Sequence, residues 1–160
     1  MNLAIFNGSP RGEKSNTKLL LDNFLKGFSE IQNNNNVELY YLQKWNNRNQ
    51  YLEAFEKADF IILAFPLYTD AMPALVKYFI EGLEKFKTST LTKSIGFIVQ
   101  SGFPETIHSR AIERYLEKLS RKLNLKYLGT VIKGGIEGIQ ILPPSMTKKL
   151  YSGFYNLGKY

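Results

Sequence analysis

The chain has 160 residues, 44% of them apolar and 14% aromatic, which is enough to fill the core of one layered domain. Its 21 Lys and Arg against 14 Asp and Glu give a net charge of +7, which draws anionic ligands through long-range attraction. Cysteine is absent, which excludes disulfides, thiolate nucleophiles and Cys-ligated zinc or iron–sulfur centres, so any redox chemistry has to come from a bound cofactor.

In chain order, Leu3, Ala4, Ile5 and Phe6 form a short apolar run ended by Asn7 and Gly8. Leu20, Phe24, Phe28 and Ile31 then recur at helical spacing. The four consecutive Asn at 33–36 suit a turn, residues 37–42 read as a second strand, and Tyr51, Leu52, Phe55 and Ala58 form a thin helical stripe. Residues 60–65 are continuously apolar, as a strand covered on both faces must be, and Leu75, Val76, Phe79, Ile80 and Leu83 follow at helical spacing. Residues 95–99 precede a stripe at Ile112, Tyr115, Leu116, Leu119 and Leu123. Residues 125–132 precede another at Met146, Leu150, Phe154 and Leu157.

Five strands alternating with five helices predict an α/β domain whose parallel sheet has helices on both faces, joined by right-handed crossovers. The first, third and fourth strands are expected at the centre. Ligands of such open sheets sit beyond the strands' carboxyl ends where the strand order reverses, which directs attention to the loops after those three strands. The longest apolar stretch, residues 60–68, contains Pro66 and is too short to cross a bilayer. No basic segment precedes a long apolar run at the start, so a soluble cytoplasmic protein without membrane partners is expected.

The first loop offers Gly8 and Gly12 for backbone freedom, hydroxyls at Ser9, Ser15 and Thr17, a cation at Arg11, and the free amides of a helix start, a combination that suits a phosphate. A Ser15 helix cap with two turn glycines accounts for the same residues. The loop lacks the Gly-Lys-Ser/Thr ending of a Walker loop and the dinucleotide fingerprint, so a mononucleotide phosphate is the better match. In the second loop, residues 66–73, Pro73 is expected as the first helical residue and Met72 as the cap. Methionine offers no capping oxygen, so backbone donors are left for a ligand edge or for water. The third loop pairs Gly102, which permits close approach, with Phe103, which would cover a ring or serve as a core or dimer contact.

Gly8-Ser9-Pro10-Arg11 with Ser15-Asn16-Thr17, followed by Pro66-Leu67-Tyr68 with Met72-Pro73 and Lys77, resembles the NAD(P)H-dependent FMN reductase branch of the flavodoxin-like flavoproteins over nearly the whole chain. The resemblance implies a single flavodoxin-like domain over 1–160, a three-layer α/β/α sandwich with a five-stranded parallel sheet in the order 2-1-3-4-5. It implies FMN, with Ser9, Arg11, Ser15, Asn16 and Thr17 around the phosphate. Pro66, Leu67, Tyr68, Thr69 and Asp70, with Ser101, Gly102 and Phe103, would surround the isoalloxazine. It further implies NAD(P)H as hydride donor, a small-molecule or protein acceptor, and a homodimer. Related iron–sulfur flavoproteins carry a cysteine cluster after the second strand, which this chain lacks.

No catalytic side chain and no metal ligand set is assigned: His108 is the only histidine, and hydride transfer to flavin needs orientation rather than a protein acid. The glycine-rich segment 133–138 follows the expected edge strand and reads as a wide turn, with a contribution to a partner subunit's site left open. Trp45 with Tyr40 and Tyr41 would border a ring from the second-strand loop or pack under that loop, and packing is the commoner fate of such aromatics, so none is assigned to the site. The rival to the reductase is a flavodoxin-type electron carrier that takes no hydride from nicotinamide. Nucleic-acid binding rests on net charge alone, without a basic stripe.

Overall fold

A computed structural model describes residues 1–31, 35–87 and 93–160 of the chain. Of the turn expected over residues 33–36, Asn33 and Asn34 lie outside these, and Asn36 instead opens the second strand, paired with Asn2. The strands are β1 (Asn2–Asn7), β2 (Asn36–Tyr41), β3 (Phe60–Leu67), β4 (Ser94–Ser101) and β5 (Lys126–Lys133). The helices are α1 (Asn16–Ile31), α2 (Arg48–Lys57), α3 (Ala74–Gly82), α4 (Arg110–Lys122) and α5 (Pro144–Lys159). All four strand pairings are parallel, in the order β2-β1-β3-β4-β5. β3 and β4 each run past the apolar segments legible in the sequence, because Pro66 and Leu67 stay in register with Gln100 and Ser101.

Each face of the sheet buries its own core. Leu3, Ile5, Ile62, Ala64 and Ile98 point toward α1 and α5, while Phe6, Ile61, Leu63, Phe65 and Phe97 point toward α2, α3 and α4. This alternation within continuously apolar strands is what the two-sided burial of a parallel sheet requires. Tyr115, Met146 and Ile31, which fit the helical stripes by spacing, are exposed at the stripe margins. Helix α2 buries Tyr51, Leu52 and Phe55, and Lys93 supports its end. That side chain is almost fully buried and donates to the carbonyls of Glu56 and Ala58 at 2.5 Å each. A cation at a helix C-terminus is favourable, although burial lowers the pKa of this one.

Helices α1 and α5 touch backbone to backbone. A Cβ on Gly27 would lie 1.9 Å from the Tyr155 carbonyl oxygen, and one on Gly158 would lie 2.0 Å from that of Phe24. Gly153, on the exposed side of α5, has nothing within 4 Å. Gly27→Ala is therefore expected to destabilise the protein by about 1–3 kcal/mol through overpacking, despite better helix propensity. Gly153→Ala should stabilise it by about 0.5–1 kcal/mol. Urea denaturation of both variants checks the contrast.

On the opposite face Tyr40 stacks on Phe6, with ring centroids 5.4 Å apart, and its hydroxyl donates to Glu38. Burial, reinforced by that hydrogen bond and by the Glu38 charge, pushes its pKa up to about 12. A raised phenol pKa means that folding favours the neutral form. The resulting stability is present below the unfolded value of about 10 and is lost as pH rises through about 12. Denaturation midpoints measured across this alkaline window should fall more steeply for the native sequence than for Tyr40→Phe, which keeps the stack and cannot ionise.

Candidate functional site

The strand order reverses between β1 and β3. α1 leaves β1 toward one face and α3 leaves β3 toward the other, so a crevice opens above their carboxyl ends. Gly8 closes its floor by donating to the Ala64 carbonyl at 2.7 Å. No larger residue fits there, because a Cβ would lie 2.3 Å from Val76.

The loop that follows is shaped from inside by Asn7, which is fully buried. Its carboxamide oxygen accepts the Ser9 amide at 2.9 Å, and its nitrogen donates to the Gly12 carbonyl and to Ser15 Oγ, both at 3.2 Å. Ser15 Oγ donates to the Gly12 carbonyl at 2.6 Å and accepts the Lys18 amide at 3.1 Å, which makes Ser15 the cap of α1. Gly12 supplies the left-handed turn, at φ +53°, against the Gln43 side chain. With these bonds made, the amides of Asn16 and Thr17 in the first turn of α1 have no acceptor among the described residues. Ser9 Oγ accepts the Arg11 amide at 3.3 Å, and Thr17 Oγ1 accepts Gln100 Nε2 at 3.4 Å, so both hydroxyls keep a proton to donate. The Arg11 guanidinium lies at the rim.

In the second loop Tyr68 and Ala71 bond each other's backbone, and Thr69 takes φ +48° to make the tight turn. The amides of Thr69 and Asp70 have no acceptor among the described residues. Pro73 occupies the cap position and Ala74 starts α3, one residue later than expected. Met72 is half-buried against the core instead of capping. In the third loop Ser101 Oγ donates to the Phe103 carbonyl at 3.3 Å, while the Phe103 ring is 63% exposed and therefore no core residue.

A cleft of about 390 Å³ joins these loops, within the usual range for small-molecule sites. Ser9, Arg11, Asn16, Pro66, Leu67, Tyr68, Thr69, Gly102 and Phe103 line it, all anticipated from the sequence. Ser15 and Thr17 lie behind the wall as supports, Ser101 sits under Phe103, and Asp70 stands on the adjoining turn. A larger depression of about 1010 Å³ runs between α1 and α5. It follows the helix flanks and reaches Glu13, Lys14 and Ser15 of the first loop, but no residue of the second or third loop lines it, so the smaller cleft, which all three loops line, is the candidate site. Among the described residues no three His, Cys, Asp or Glu side chains come close enough to share a metal ion.

Two lining residues escaped the sequence reading, Gln100 and Glu137. The segment after β5 was expected to turn away from the switch point, yet it folds back over the end of β4. The Ile136 amide donates to the Ser101 carbonyl at 3.0 Å and the Gly135 amide to that of Phe103 at 2.9 Å. Asn16 Nδ2 then donates to the Ile136 carbonyl at 2.7 Å and to the Glu137 carbonyl at 3.2 Å. Gln140 holds Asn16 Oδ1 at 2.8 Å and the Lys14 carbonyl at 3.1 Å. The glycines were the available signal. Gly134 passes so close to Phe103 and Pro104 that a Cβ would lie 2.4 Å from a carbonyl oxygen, and Gly135 has φ +71°. Trp45 is 63% exposed instead of packed under its loop.

Solved structures share this architecture at full length. The NADPH-quinone reductase of P. pentosaceus is similar at 23% identity, over 99% of this chain and 98% of its own, with a TM-score of 0.71. The NAD(P)H:quinone oxidoreductase of Methanothermobacter marburgensis is similar at 16% identity, over 99% and 96%, with a TM-score of 0.75. An FMN-dependent NADH-azoreductase of Bacillus anthracis, solved in complex with FMN, is similar at 15% identity, over 99% and 98%, with a TM-score of 0.73. No curated protein matches the chain by sequence. The family model described as the flavodoxin-like fold matches residues 1–150, and with the strand order and switch-point crevice above, the chain belongs to that family.

Proposed function

We propose that the chain binds FMN in the switch-point cleft and acts as an NAD(P)H-dependent oxidoreductase, passing electrons to a small-molecule acceptor. The observation that carries this reading is the placement, around one cleft lined by Asn16 and Thr69, of two sets of backbone amides that have no acceptor among the described residues. One set, the Asn16 and Thr17 amides, sits beside a cation, and the other, the Thr69 and Asp70 amides, sits beside the open β3 end. Resemblance to structures named as NAD(P)H-dependent and FMN-dependent reductases supports it.

The donor set fits the group. Arg11, the first-turn amides of α1 and the hydroxyl proton of Ser9 would hold a phosphate dianion with charge-assisted hydrogen bonds, with Ser15 and Thr17 supporting the loop from behind. The Thr69 and Asp70 amides would bind the carbonyl and N1 edge of the ring, where they stabilise the negative charge of its reduced form. FMN, when bound, supplies the centre that takes up a hydride from nicotinamide and releases electrons to the next acceptor. The protein contributes position and fixed dipoles, and no side chain is required as a proton donor. No helix among the described residues is long and apolar enough to cross a membrane. The proposal extends to a cytoplasmic homodimer, with exposed Tyr68, Phe103 and Ile107 beside the cleft as contact surface.

Titration of FMN into the purified protein should quench flavin fluorescence, and anaerobic NADPH should bleach the bound flavin. Bound flavin that dithionite reduces and NADPH does not would leave an electron carrier instead, and no quenching at all would remove both readings. Arg11→Ala should weaken FMN about tenfold and riboflavin less than twofold. Equal weakening would mean that the phosphate lies elsewhere.

A further inference from the structure

Arg11 already has a carboxylate partner. Its Nη2 lies 3.5 Å from Glu137 Oε1, and the two side chains are 56% and 69% exposed. Glu137 does not reach this place by drifting there on a loose loop. Its backbone is held by Asn16, the preceding residue is fully buried and bonded to Ser101, and the Glu137 Cβ would pack 3.5 Å from a Cβ on Gly102. The backbone is fixed and the carboxylate end is free, so the charge stays within reach of the Arg11 guanidinium while the pair itself remains weak and displaceable.

We propose that Glu137 is a built-in competitor for the phosphate-binding arginine, one that keeps the affinity for a phosphorylated ligand below what the loop's donors alone would give. The inference rests on the FMN reading above. A phosphate on the Asn16 and Thr17 amides has to take Arg11 away from the carboxylate. It also sits within one screening length, about 8 Å at physiological salt, of a like charge that the clamped backbone cannot carry far away. Both effects act on the phosphate and neither touches a ligand without one. Glu137 therefore sets discrimination between FMN and riboflavin, and it favours a flavin that exchanges over one that is held permanently.

The test is a set of fluorescence-quenching titrations with FMN and riboflavin on the full chain and three variants. Glu137→Gln should tighten FMN roughly three- to tenfold and leave riboflavin within twofold, an advantage that shrinks as salt is raised. In the Arg11→Ala background the same substitution should lose most of its effect, because the competition runs through that arginine. Glu84→Gln makes the same charge change in the turn that follows the C-terminal end of α3 and should leave both affinities alone. Binding of FMN by the native chain and Glu137→Gln with equal affinity would overturn the inference while sparing the flavin reading. Weaker binding of both flavins would overturn it too, by making the carboxylate a ligand contact. Absence of FMN binding in both proteins would overturn the inference and the flavin reading together.

Discussion

The candidate site depends first on the buried carboxamide of Asn7. A polar side chain with no solvent access has to find partners inside the protein, and Asn7 finds three: the Ser9 amide, the Gly12 carbonyl and Ser15 Oγ. Those bonds draw the loop into a ring around one side chain and bring Ser15 to the position from which it caps α1. Internal bonding of this kind settles which donors remain. Ser9, Gly12, Lys14 and Ser15 spend their amides within the loop, and on the first turn of the helix, where the dipole already favours an anion, the Asn16 and Thr17 amides have no acceptor among the described residues. Replacing Asn7 by an apolar residue would leave the Gly12 carbonyl and the Ser9 amide without that partner, and the site would lose its shape before it lost any direct contact.

A second constraint is the asymmetry between local and distant contributions. Residues 8–17 and 66–73 are positioned by the strands that precede them, and their geometry follows from where β1 and β3 end. The wall opposite is different. Asn16 bonds to carbonyls 120 and 121 positions away, and Gln140 returns the contact from 124 positions away. The start of α1 and the segment after β5 are therefore parts of one hydrogen-bonded unit. The glycine contacts between α1 and α5 reinforce it at the other end of the same helix pair.

This asymmetry also explains what could be read from the sequence. The element order, the parallel sheet and the three loops were legible because continuous apolar strands and helical stripes are local patterns, and the loop positions follow from topology once the strand order is known. Nine of the lining residues were anticipated on that basis. Glu137 and Gln100 were not. Glu137 reaches the cleft only because the chain doubles back across β4, and the path depends on hydrogen bonds to Asn16 and Ser101 that no local pattern encodes. Gln100 lies inside β4, where a polar residue near the end of an apolar strand was the one visible hint. The start of α3 was placed one residue early for a related reason. A single-residue shift in the start of α3 moved the cap to Pro73 and turned Met72 toward the core.

The same crossing explains why the +7 net charge does not simply concentrate at the site. Long-range attraction brings an anion toward the protein as a whole, whereas affinity at the loop is decided within a few ångströms, where the nearest charges are Arg11 and a carboxylate delivered from the far end of the sequence. Had the segment after β5 run outward as a wide turn, Arg11 would stand alone and the loop would present an unopposed cation to any phosphate. Because Asn16 binds that segment, the residue that opens the helix, and whose amide would meet an anion there, also fixes through its side chain the group that would oppose it. In the proposed phosphate site attraction and restraint thus share one residue, and a substitution at Asn16 would change both together.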